Sequence, residues 1–66
     1  MIKYQKLSLV QVEQLAFDPS TKKGTALITQ DLLIRMKNMK KQEGLEDEQF
    51  LFLQNPKTGM IKMEIV

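Results

Sequence analysis

Glu43, Glu46, Asp47 and Glu48 crowd into one short segment, and their type and spacing come nearest in this chain to acid–base chemistry. Paired carboxylates divide into general acid and general base only when their surroundings push the two pKa values apart. This segment offers nothing to bury them, so it reads as a solvated linker. Its spacing also lacks the alternating ligands and central glycine of a calcium loop. Histidine and cysteine are absent, which removes the usual general base and the usual strong nucleophile. Ser8 and Ser20 therefore have no imidazole to activate them. The glycines at 24, 44 and 59 stand singly at turn positions, so no phosphate-cradling loop is written here. The expectation is a protein that is not an enzyme, with no catalytic residues, no cofactor and no metal site.

Binding chemistry is better represented. Arg35, Lys37, Asn38 and Lys41 fall close together on one helical segment, and Lys22 and Lys23 add charge upstream. Lysines in such a group can neutralise phosphates, which makes nucleic acid the alternative partner. Arg35 is the only arginine, however, and bidentate reading of guanine rests mainly on that forked group. Contact of that kind would be weak, salt-sensitive and mostly directed at the backbone. A protein partner is the preferred reading. Leu33 and Ile34 lie off the apolar stripe of their helix, and Phe50, Leu51, Phe52 and Leu53 form an unbroken apolar run. In a strand such a run faces both ways, so it calls for cover on both sides. These six residues are the expected protein interface, and the function they imply is that of a small regulatory or adaptor module.

The elements that must position them are partly explicit. A helix is predicted over 30–43: Thr29 can cap it, Asp31 suits its first turn, Lys40 and Lys41 suit its last, and Gly44 suits a left-handed stop. Leu32, Met36 and Met39 form its buried stripe. A C-terminal hairpin is predicted from strands 50–54 and 60–66, reversed by Asn55-Pro56-Lys57-Thr58-Gly59, where proline fixes φ early and glycine supplies a positive φ late. Phe17-Asp18-Pro19 through Gly24 echoes that turn, so strands near 10–17 and 25–28 would make an earlier hairpin. The fold class expected is α+β, a small ββαββ-like domain with one central helix. A winged helix-turn-helix is the alternative: Ser8 and Gln11 stand at capping-box spacing, Leu9, Val12, Leu15 and Ala16 share one helical side, and a second short helix would follow. Gly24 and the β-branched Val10 and Val12 weigh against it.

The chain has 66 residues, room for one domain spanning 1–66. At that size roughly 60% of the unfolded surface is buried, and without disulfide or zinc support a second copy is the natural reinforcement. A homo-oligomer is expected, with strand 50–53 at its interface. Ten basic and eight acidic residues leave a net charge of +2, too little to dictate a partner through the overall field. Lys3 and Lys6 precede an apolar stretch at 7–12, but Ser8 and Gln11 interrupt it, so neither a signal peptide nor a membrane span is expected. With no cysteine to oxidise, the cytoplasm is the expected location.

Overall fold

A computed structural model describes residues 3–66. Among them run strand β1 (Gln5–Leu7), helix α1 (Leu9–Phe17), helix α2 (Lys23–Glu43), a single 3-10 turn (Asp47–Gln49), and strands β2 (Phe50–Gln54) and β3 (Ile61–Ile65). The class is α+β, and the sheet is antiparallel with β2 in the middle. The two finer expectations do not form. The N-terminal hairpin is replaced by α1 and the start of α2. The three helices of the winged alternative are replaced by two, because 23–43 is one continuous helix of 21 residues.

Local chemistry explains why α1 wins over a strand. The backbone N–H of Ser8 donates to Gln11 Oε1 at 2.8 Å, and the Gln11 N–H donates to Ser8 Oγ at 3.2 Å, a complete capping box. Val12 and Ala16, one turn apart, are then fully buried on the same face. The turn chemistry of Asp18 is real but joins two helices rather than two strands. Its carboxylate accepts from the Ser20 N–H at 2.9 Å and hydroxyl at 2.8 Å, and the Thr21 N–H donates to the Asp18 carbonyl. These hydrogen bonds, that from the backbone foremost, lower the Asp18 pKa below its ordinary value.

The helix predicted over 30–43 therefore begins seven residues earlier, at Lys23. Gly24 sits in its first turn, where its conformational freedom costs the helix about 1 kcal/mol relative to alanine, too little to stop a helix whose later turns are buried. Thr29 is not a cap: it is buried within α2, and its hydroxyl donates to the Thr25 carbonyl at 2.7 Å. Asp31 is mid-helix, paired with Arg35 at 3.4 Å. The C-terminal end is as expected, with Lys40 and Lys41 in the last turn and Gly44 left-handed at φ 68°.

The helices cover one face of the sheet. Val12, Leu32, Met36, Phe50, Phe52 and Ile61 form the buried cluster, with Leu9, Leu15, Leu33 and Met39 packed against it. The hairpin forms, with β2 over Phe50–Gln54 as expected and β3 over Ile61–Ile65, one residue shorter at each end than the 60–66 read from the sequence. Its reversal is a helical turn held by Asn55: the carbonyl accepts from Gly59 N–H at 2.8 Å and Oδ1 accepts from Lys57 N–H at 2.9 Å. Gly59 then takes φ 77°.

Candidate docking groove between the helices

The sheet side of the molecule divides the apolar run. Phe50 and Phe52 face the helices and are consumed by the core, so they leave the expected interface. Leu51 and Leu53 point the other way and are half-buried. The register sets Lys6 and Lys62 on either side of Leu53, and Glu64 beside Leu51. Lysine stems can cover apolar surface while their heads stay wet. The Lys62 ammonium lies 4.2 Å from the Tyr4 ring centroid and 3.3 Å from a Glu64 oxygen, so this outer face is tied together by its own side chains. The two-faced strand is thus accommodated within one chain.

The helical side is different. An open groove of about 850 Å³ runs between α1 and α2. Leu9, Glu13 and Phe17, spaced four apart, bring one stripe of α1 to it; Leu33, Ile34, Lys37 and Lys41 bring the facing stripe of α2, and Met36 forms part of the floor. Gln30 Nε2 donates to the Ala16 carbonyl at 2.7 Å, fastening the end of α1 to α2 at the head of the groove. Phe17 is 70% exposed and Ile34 59% exposed, although both are large and apolar. At the far end Lys40 forms an ion pair with Asp47, and that hydrogen bond raises the Lys40 pKa. Lys37, Lys41 and Glu13 have no ion-pair partner among the described residues.

Of the residues singled out by sequence, the structure brings Leu33, Ile34, Lys37 and Lys41 into this one groove. It does not gather the basic set. Lys22 and Lys23 stand at the opposite end of α2, on the order of 20 Å from Lys37 at 1.5 Å per residue. Arg35 is engaged by Asp31, and Asn38 is exposed on α2 but does not line the groove. Leu9, Glu13 and Phe17 become site residues only once α1 forms, against the strand expected over 10–17, and the Ser8–Gln11 capping box is the signal that points to the helix. The acidic segment does structural work: Asp47 pairs with Lys40, and the Glu46 N–H donates to Gln49 Oε1 at 2.9 Å. Among the described residues no three His, Cys, Asp or Glu side chains converge to hold a metal ion, and no helix is long and apolar enough to cross a membrane. No known protein family, curated protein or solved structure matches the chain.

Proposed function

We propose that this chain is a small non-enzymatic regulatory or adaptor module that works through a protein–protein interface on its α1–α2 face. The observation that carries the reading is the pair Phe17 and Ile34, large apolar side chains held mostly in water across a shared groove. Clustered exposed apolar side chains with a polar rim are the usual mark of an interaction surface. Duplex nucleic acid has no use for those side chains, a single strand would find one aromatic ring, Phe17, in the groove to stack on, and the cations that would meet phosphate are split between the two ends of α2. The lack of cysteine is what supports a cytoplasmic setting.

The test is site-specific photo-crosslinking in cells, with a photoreactive residue replacing Ile34 and a control at Leu51. Protein adducts at 34 that are absent at 51 are the expected result. Adducts to nucleic acid alone, or none, would overturn the proposal. As a companion measurement, changing Lys37 and Lys41 together to glutamate should leave duplex and single-strand binding as negligible as in the unmodified chain.

A further inference from the structure

We infer that the partner at this face is a second copy of the chain, packed helix layer to helix layer about a two-fold axis lying along the groove; the inference rests on the protein-binding reading and names the occupant. Its first support is the extent of the apolar surface. Val10 and Phe17 are seven residues apart on α1, and Leu27 and Ile34 are seven apart on α2, so each pair shares one stripe of its helix. All four are more than half exposed, at 61%, 70%, 55% and 59%. An extended peptide lying in the groove would cover Phe17 and Ile34, whereas a second pair of helices also covers Val10 and Leu27.

Its second support is charge. The α1 lip carries Glu13 and the α2 lip carries Lys37 and Lys41, all without ion-pair partners among the described residues. An isologous interface must be complementary to itself, so that residue i meets j and j meets i. A two-fold axis along the groove lays each α1 over the partner's α2. It brings Glu13 of each copy toward the lysines of the other, twice per dimer. An acidic peptide would satisfy Lys37 and Lys41 but set its charge beside Glu13, and a basic one would do the reverse. Only a surface bearing both signs on opposite lips answers this groove, and the chain carries such a surface itself.

Sedimentation velocity of the full chain at micromolar concentration should give twice the 7.7 kDa chain mass. Glu13→Lys alone, and Lys37→Glu with Lys41→Glu, should each weaken the dimer by about tenfold or more, because like charges then face each other. Mixing the two variants should restore a heterodimer of near-original affinity. All three positions are exposed, so circular dichroism should show each variant folded. Leu51→Lys, on the outer sheet face, should leave the mass unchanged. A monomeric unmodified chain, swaps without effect, swaps without rescue on mixing, or a dimer broken by Leu51→Lys would each overturn the inference. A monomer whose residue 34 still crosslinks to a different protein would discard the second copy and leave the protein-binding reading standing; a monomer that crosslinks to no protein would discard both.

Discussion

Two glycines separate backbone requirement from local propensity. Gly59 holds φ 77° with open space around the position of a Cβ, so the obstacle to a side chain is the conformation alone. Gly59→Val should therefore destabilise the fold by more than about 1 kcal/mol, measured by chemical denaturation, because β-branched residues strain in that region. Gly24 is helical, has no positive φ and also faces open space. Gly24→Ala should raise stability by about 0.5–1 kcal/mol in the same assay, since alanine lowers the entropy of the unfolded chain and suits a helix. Asp18 gives a pH signature. Its folded pKa is lowered by the Ser20 hydrogen bonds, so its contribution is present above the ordinary aspartate value and is lost as pH falls through the lowered one. Asp18→Asn keeps an acceptor without the charge. Its melting temperature should fall below that of the unmodified chain at neutral pH, and the two should converge in strong acid.

Among the elements, what was legible was local. The capping and stop signals at Lys40, Lys41 and Gly44, and the Asn55 to Gly59 reversal, are decided within a few residues, and they stand where sequence placed them. From Val10 to Ile28 the β-branched residues and the turn-like Asp18-Pro19 favour strands, and the structure is helical. Packing of Val12 against Leu32, Met36, Phe50, Phe52 and Ile61, with the Ser8–Gln11 capping box, outweighs those weak preferences. The groove was half legible for the same reason: Leu33, Ile34, Lys37 and Lys41 stand out from the pattern of their own helix, whereas Glu13 and Phe17 matter only once α1 exists beside it. The start of α2 is the weakest point of the helical layer. Lys22 caps it without a side-chain hydrogen bond, and no acidic residue lies in the first turn. Lys22→Asp would supply an acceptor and oppose the positive dipole end, and should stabilise the helix by about 1 kcal/mol, read as a rise in the denaturation midpoint.

For the whole molecule, the sheet has a committed face and an accommodated one. Phe52→Ala should cost about 3–5 kcal/mol, enough to unfold much of a domain this small, whereas Leu51→Ala on the outer face should cost nearer 1 kcal/mol; urea titrations of the two variants measure the contrast. The core thus depends on β2 from one side. The same central strand joins the two ends of the chain, for Gln5 pairs with Gln54 and Leu7 with Phe52 across both helices and the linker between them. Closing so long a span is entropically slow compared with forming α2 or the β2–β3 hairpin, whose contacts are local. The three-residue β1 is accordingly the last segment to dock when the chain folds and the first to open in the native state. Its amides should exchange with deuterium well ahead of those shared by β2 and β3, a clock that starts at the N-terminal edge of the sheet.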